Sequence, residues 1–388
     1  MSNGRILFTS AHAISYYSKI RRLGGCMGYQ ITKKRIRRGL QIFIVLSMSS
    51  LIAIFLLTHS HMSVEAMRNV QPLWLLCAVP FIFMDWFAGG FRILIFSRVF
   101  HPQIRFKTCF KANLANYFLG SITPAQTGGG PAQIWMLYAG GMPPVEATSA
   151  SLMVFFSTTF FLIVAGGAIY AFKGIVPMSG KLMHHLFNVG MLFFLIVAAL
   201  MVIAVVVPGF YRELTKIVVL IVSRVRRKDY LRTGSWASGM IDAIDRCHRQ
   251  LIHYLQKHFH IFLLGILLSG LCFLSKFTVA YFIVRSLGMH ASFVEVMLLQ
   301  MAITLINYFF PTPGGSGAAE LSSAALMSAV VSKGLIGFYV ILWRLLTTYA
   351  AVAVGGGVVL HELGKQDRVE IDDAISEDVP EPEVTTAP

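Results

Sequence analysis

The chain has 388 residues, of which 56% are hydrophobic and 13% charged, and its mean hydropathy of +0.67 excludes a soluble globular protein. Its formal net charge of +15 comes from basic residues concentrated in 1–38 and 212–257, beside strongly apolar runs. Such clusters are typical of cytoplasmic segments under the positive-inside rule, and they argue against nucleic acid as a partner. The sequence therefore predicts an all-α integral membrane protein.

The N-terminal segment, 1–38, contains nine Lys and Arg and no acidic residue. We interpret it as a cytoplasmic segment that anchors the topology. A second interpretation is binding to anionic lipid headgroups, because a basic residue near an anionic membrane surface gains about 1 kcal/mol.

Six apolar runs reach the roughly 20 residues that a helix needs to cross a bilayer. These predicted spans lie at about 39–58, 72–96, 148–172, 186–208, 260–284 and 335–360. Basic loops place the N- and C-termini on the cytoplasmic side, together with a basic connector at 209–258. Within this connector the apolar run 217–222 predicts an interfacial helix.

The first membrane half, 39–208, contains a segment that cannot be one continuous helix. An Asn-Tyr-Phe triplet, a Thr-Pro pair and a glycine cluster follow one another in the order Asn116, Tyr117, Phe118, Thr123, Pro124, Gly128, Gly129, Gly130, Pro131. Proline removes a backbone donor and clashes with the preceding turn. Both arms are too short to cross a bilayer at 1.5 Å per residue, so we predict a re-entrant hairpin over 109–139.

The second membrane half, 259–362, repeats this design in a predicted hairpin over 293–332. The same order recurs in Asn307, Tyr308, Phe309, Thr312, Pro313, Gly314 and Gly315. The charge pattern makes the first hairpin open to the cytoplasm and the second to the outside, which predicts an inverted repeat around a midplane site. Two tight turns between ordinary spanning helices are the alternative. The acidic tail, 363–388, lacks an apolar face and is predicted to be disordered.

Charged residues inside predicted spans are functional candidates because charge is costly in hydrocarbon. Asp85 and Arg92 are about 10.5 Å apart along one helix, too far for a direct pair, and we expect them to line one path. Arg344 is expected either to bind substrate or to form an ion pair with Glu320 or Asp85. Glu320 itself either contacts substrate or caps a helix start. Lys276 and Arg92 are otherwise expected to snorkel.

Polar groups at the breaks are the other candidates. The amides of Asn116, Asn307, Gln126 and Gln133 can bind freed backbone groups or a polar ligand. The helix starts after the glycine clusters present free N–H groups that suit a phosphate or carboxylate.

No enzyme motif and no nucleotide-binding loop occurs in the sequence. The five cysteines are scattered, without the spacing of a zinc site or a disulfide framework. We therefore expect no catalytic residue, no metal and no cofactor, and transport that is downhill or ion-coupled.

The stretch Pro311–Glu320, with its counterpart in the first half, resembles the lysylphosphatidylglycerol synthase transmembrane, or flippase-like, family. The resemblance extends from about the first to the sixth span, and it implies an inner-membrane protein that moves or displays polar lipids. The family often has an acidic residue after the first glycines and a basic one three positions later, where this chain has Gly130 and Gln133. We expect no soluble aminoacyl-transfer domain after the last span, and therefore no lipid aminoacylation.

The sequence thus predicts a flippase-like transporter whose polar lipid, or lipid-linked headgroup, binds between the two breaks. The phosphate would face the helix starts, Arg344 would supply countercharge, and Glu320 and Asp85 would contact a cationic or hydroxylated headgroup. The predicted contact residues are Asp85, Asn116, Thr123, Pro124, Gly128, Gly129, Gln133, Asn307, Thr312, Pro313, Gly314, Gly315, Glu320 and Arg344. The alternatives are a carrier of a small soluble solute and a non-transporting partner that docks a lipid-modifying enzyme through the basic connector.

Overall fold

The computed structural model describes residues 33–57, 70–171, 181–207 and 230–377. Within these ranges the chain is helical and has no strand. Its helices are α1 (Lys33–Leu57), α2 (Pro72–Phe100), α3 (Phe106–Ser121), α4 (Gly129–Ala139), α5 (Pro144–Ala171), α6 (Lys181–Val206), α7 (Tyr230–Lys257), α8 (Phe259–Ser286), α9 (Phe293–Phe309), α10 (Ala318–Met327), α11 (Ile336–Arg344) and α12 (Ala350–Glu377). A π-helical turn, Leu345–Tyr349, joins α11 to α12.

Six segments in the described part of the chain are long and apolar enough to cross a membrane. They are Ile36–Ala53, Pro72–Phe100, Pro144–Tyr170, His185–Ala204, Phe259–Ser286 and Ile336–Lys365. The prediction of an all-α integral membrane protein is confirmed. In the interior α2 and α8 pack along each other. Two large apolar clusters include residues of the broken hairpins and pack them against the other helices.

The four hairpin arms, α3, α4, α9 and α10, contain 16, 11, 17 and 10 residues. Each is shorter than the roughly 20 residues of a full span. These lengths suit helices that enter the membrane and turn back, although re-entry, the inverted repeat and the division into two halves stay predictions.

The two breaks, 123–128 and 312–317, share a pattern of backbone hydrogen bonds. In each, the amide three residues after the threonine donates to the threonine carbonyl, at 3.2 Å in the first break and 3.1 Å in the second. The next amide donates to the proline carbonyl, at 3.1 and 2.9 Å respectively. Each break then ends at a glycine N-cap, Gly128 before α4 and Gly317 before α10.

The two positions after each proline are left-handed. Gly314 and Gly315 have φ of 58° and 68°, and Ala125 and Gln126 have φ of 49° and 56°. Glycine adopts this conformation readily, whereas other residues do so at a cost. At these two positions the first break therefore adopts the left-handed conformation with alanine and glutamine, where the second break has glycines.

The breaks also contact each other. Pro124 and Pro313, the equivalent prolines, form an isolated antiparallel β-bridge. The first transmembrane helix, α1, packs beside this contact, because the hydroxyl groups of Ser47 and Ser316 are hydrogen-bonded at 3.0 Å.

The basic connector is only partly described. Its predicted interfacial helix at 217–222 lies outside the described residues, as do residues 1–32 of the N-terminal segment. The amphipathic α7 packs on α5, where the Ser149 hydroxyl donates to Gln250 at 2.8 Å. Burial there raises the pKa of the Cys247 thiol above its ordinary value.

Two predicted boundaries are corrected by the structure, and one predicted span contains an irregular turn. The tail predicted to be disordered from residue 363 is helical through Glu377, because α12 continues out of the last span and its sequence there has no proline. The second arm of hairpin two was predicted to reach residue 332 but ends at Met327. The last span is not one regular helix, since the π-helical turn directly follows Arg344.

Candidate functional site

A cavity of about 190 Å³ lies beside the contact between the two breaks. Both hairpins line it, through Asn116 and Gln126 of the first and Asn307 and Gly314 of the second. Its two charged lining residues are Lys276 on α8 and Arg344 on α11. The broken segments thus lie beside a partly polar cavity inside an apolar bundle. Irregular backbone within a membrane is tolerated where it lines such a cavity.

Arg344 forms a buried ion pair with Glu320. Its Nη2 lies 3.0 Å from the carboxylate, and the two side chains are 3% and 0% exposed. The same oxygen, Oε2, accepts the Gly317 amide at 2.7 Å, so that Glu320 also caps the start of α10. Of the two ion pairs considered for Arg344, the structure has the one with Glu320.

Arg344 also reaches the second break and the cavity wall. Its Nη1 donates to the Gly314 carbonyl at 3.4 Å and to the Thr348 hydroxyl at 3.3 Å. Thr348 belongs to the π-helical turn and lines the cavity together with Thr347. Such turns are frequent at functional sites.

A second ion pair joins α2 to α8. Lys276 Nζ lies 3.6 Å from Asp85 Oδ1, and the Lys276 side chain is 31% exposed while that of Asp85 is 6% exposed. Tyr117 donates to the same carboxylate oxygen at 3.0 Å, and its ring lies under the ammonium, 4.6 Å from Nζ. Lys276 therefore faces the cavity from the middle of α8, with Asp85 behind it.

The expectation that Asp85 and Arg92 line one path is wrong. Arg92 is buried and donates to Thr158 at 2.9 Å and Ser269 at 2.7 Å, and it does not line the cavity. The two residues lie on nearly the same helix face, but two turns of α2 separate them. Arg92 thus braces α2 against α5 and α8 and does not snorkel.

Side-chain amides of the two hairpins are hydrogen-bonded to neighbouring side chains. The Asn116 amide donates to Gln133 at 3.2 Å, and Gln133 donates to Ser151 at 3.0 Å. In the second hairpin the side-chain oxygen of Asn307, Oδ1, accepts a hydrogen bond from the Ser322 hydroxyl at 3.3 Å.

A threonine hydroxyl and a carboxylate have corresponding roles at the two helix starts. The Gly128 amide donates to Thr123 Oγ1 at 2.8 Å, whereas the Gly317 amide donates to Glu320. The Thr312 hydroxyl has no hydrogen-bond partner among the described residues. At each break, a side chain of the protein therefore binds one of the backbone amides that the sequence analysis expected to bind a phosphate.

The predicted contact residues fall into three groups. Four of them line the cavity, namely Asn116, Asn307, Gly314 and Arg344. Three bind a lining residue from behind, namely Asp85, Gln133 and Glu320. The others form the breaks or, in the case of Gly129, the first residue of α4, namely Thr123, Pro124, Gly128, Gly129, Thr312, Pro313 and Gly315.

Sequence reasoning missed a polar stripe on α9. Gln300, Thr304 and Asn307 all line the cavity, and Gln300 donates to the Tyr339 hydroxyl at 2.8 Å. Their spacing of four and three residues puts them on one helix face, a signal that the sequence contains. Gln126, by contrast, was named as a candidate amide from the sequence, and it does line the cavity, at the position that Gly315 has in the second break.

Among the described residues no group of three or more His, Cys, Asp and Glu could hold a metal ion. A family model described as the lysylphosphatidylglycerol synthase TM region matches residues 40–355. The chain is also similar to a UPF0104 membrane protein of Archaeoglobus fulgidus, with 26% identity over 340 residues, which are 84% of this chain and 97% of that protein.

Proposed function

This chain belongs to the lysylphosphatidylglycerol synthase transmembrane family, and from that premise we propose that it is a flippase-like transporter of a polar lipid in the inner membrane. The observation that carries the proposal is the cavity beside the two breaks, which two cations and side-chain amides of both hairpins line. Polar and ionisable groups at such depth usually belong to a substrate path. The chain would be a transporter and not an enzyme, with its termini in the cytoplasm.

The phosphate of the lipid would bind between Lys276 and Arg344. Ammonium and guanidinium groups form the stronger, charge-assisted hydrogen bonds with phosphate oxygens. Asn116 and Asn307 would then bind the remaining polar groups of the headgroup. The starts of α4 and α10 have a smaller part in this proposal than in the sequence prediction, because Thr123 and Glu320 already bind the Gly128 and Gly317 amides.

A neighbouring apolar groove favours a lipid over a small soluble solute. This groove between α1 and α12 has a volume of about 420 Å³, and its lining includes Leu40, Phe43, Val352 and Gly356. Phe43 also lies against Gly314, which lines the cavity. An acyl chain in the groove and a headgroup in the cavity would therefore meet at the second break. A small soluble solute would have no hydrocarbon chain to bind in the groove.

The size of the cavity also suits a headgroup inside it and acyl chains outside it. At about 190 Å³ it is smaller than the 300–1,000 Å³ of most small-molecule sites. It would take a phosphate with a compact headgroup, and the acyl chains would stay outside in the groove and the bilayer.

Translocation of headgroup-labelled phosphatidylglycerol in proteoliposomes tests the proposal. Lys276→Gln removes one of the two cavity cations. We expect the rate to fall at least about tenfold, since a hydrogen bond to a charged group contributes roughly 1.5–3 kcal/mol and about 1.4 kcal/mol is a factor of ten. Lys276→Arg keeps the charge and should retain most of the rate.

Lys111→Gln is the matched control. Lys111 forms an ion pair with Glu362 at 3.1 Å and does not line the cavity, so its loss should leave translocation unchanged. Equal rates for Lys276→Gln, Lys111→Gln and the unmodified protein would contradict the proposal, as would rates no higher than those of protein-free liposomes.

A further inference from the structure

We infer that binding of the lipid phosphate is coupled to the uptake of one proton by Asp85. The inference rests on the proposed function and adds to it the ion that drives transport. It starts from the formal charges at the cavity: Lys276 and Arg344 line it, and each is already paired with one carboxylate, Asp85 or Glu320. These two pairs are neutral together, so a bound phosphodiester adds one uncompensated negative charge.

The two ion pairs differ in how easily they can part. Glu320 is fully buried, and its Oε2 accepts the Gly317 amide as well as contacting Arg344. Movement of Glu320 would break the ion pair and the cap of α10 together. The Arg344–Glu320 pair is therefore fixed.

The Lys276–Asp85 pair is looser. Its separation is 3.6 Å, and Lys276 is 31% exposed to the cavity, on a flexible four-carbon stem. A phosphate in the cavity would draw the ammonium away from Asp85. Among the described residues, the carboxylate would then be buried with the Tyr117 hydroxyl as its one remaining hydrogen-bond partner. An isolated buried carboxylate takes up a proton instead of staying charged.

The other groups facing Asp85 do not replace the ammonium. From α8 the Cys272 thiol contacts the Asp85 carbonyl at 3.8 Å, and from α3 Tyr117 donates a neutral hydrogen bond. Arg92, on the same helix, is held two turns away by the hydroxyls of Thr158 and Ser269. Its charge is present with or without phosphate, so it does not change the balance.

In the coupled step Lys276 stays protonated and moves its ammonium from Asp85 to a phosphate oxygen. A proton from the bulk solution adds to the Asp85 carboxylate, and the Tyr117 hydroxyl remains hydrogen-bonded to the carboxyl group. The lipid anion and the proton would cross together without a change in net charge. Release of the lipid would return Lys276 to Asp85 and expel the proton.

Calorimetric binding of short-chain phosphatidylglycerol, in two buffers that differ in ionisation enthalpy, tests this coupling. The probe is a phosphodiester that keeps a single charge near neutral pH, so any proton uptake belongs to the protein. We expect an uptake of about one proton per bound lipid for the unmodified protein. For Asp85→Asn we expect retained binding and an uptake near zero, and for the control Glu362→Gln, which alters an ion pair outside the cavity, an unchanged uptake.

The outcomes separate the inference from the proposed function. Absence of any binding would overturn both. Binding with the same heat in both buffers would overturn the coupling and leave the lipid site intact. Infrared difference spectra need no variant: with ¹³C-labelled aspartate, a protonated carboxyl band that shifts with the label should appear on binding, and an unshifted or missing band would contradict uptake by Asp85.

Discussion

Arg344→Met is expected to lower the free energy of unfolding by about 3–5 kcal/mol, because it leaves Glu320 as an uncompensated charge in the protein interior. Glu320 is 0% exposed, and besides the ion pair its Oε2 accepts one hydrogen bond, from the Gly317 amide. The variant also loses the contacts of Arg344 with Gly314 and Thr348 at the cavity wall. Unfolding in mixed micelles measures the loss, and translocation should fall with it.

The double variant Glu320→Gln, Arg344→Met separates the unpaired charge from lost packing. Removing both charges is often far less costly than removing one, and the glutamine amide oxygen can still accept the Gly317 N–H. We therefore expect the double variant to recover most of the stability while it stays deficient in transport. A double variant as unstable as Arg344→Met would contradict the importance of the buried charge.

Gly314→Val is expected to lower the free energy of unfolding by at least about 2 kcal/mol. The residue has φ of 58°, a conformation that costs a side-chain-bearing residue about 1–2 kcal/mol and a β-branched one more. A Cβ there would also lie 2.8 Å from the Ser121 carbonyl oxygen and 3.0 Å from the Phe43 ring. Since Ser121 belongs to the first hairpin, the substitution would push the two breaks apart.

Gly130→Ala is the control for this substitution. A Cβ at Gly130 meets no atom of another described segment within 4 Å, and the residue lies in a helix, where alanine is favoured by up to about 1 kcal/mol. Its unfolding should be unchanged or slightly harder. If Gly314→Val unfolded like Gly130→Ala, the close contact between the breaks would be wrong.

Much of the fold follows from local sequence. Apolar runs of sufficient length predicted the six spans, and the proline and glycine positions predicted both breaks within a few residues. The helical tail was missed because its polar composition indicated disorder, whereas α12 continues without interruption from the last span to Glu377. The π-helical turn after Arg344 was missed because its residues, Leu345–Tyr349, suit an ordinary helix as well.

The site depended more on tertiary structure. Asn116, Asn307, Gly314 and Arg344 could be selected because intramembrane amides, breaks and charges are unusual. The sequence could not reveal that Pro124 and Pro313 meet, since the contact joins segments far apart in the chain. The sequence analysis also expected Asp85 and Arg92 to line one path, because spacing along the chain can identify only neighbours on the same helix. Lys276, which faces the cavity, comes from another helix.

Native mass spectrometry of the protein in mild detergent tests most directly whether a lipid phosphate binds between the breaks. The unmodified protein, Lys276→Gln and the control Lys111→Gln are compared after incubation with one mixture of anionic and zwitterionic lipids. We predict that one lipid class stays bound to the unmodified protein and to Lys111→Gln and is largely lost from Lys276→Gln. Equal retention of bulk lipid by all three proteins would contradict a headgroup site at this cavity.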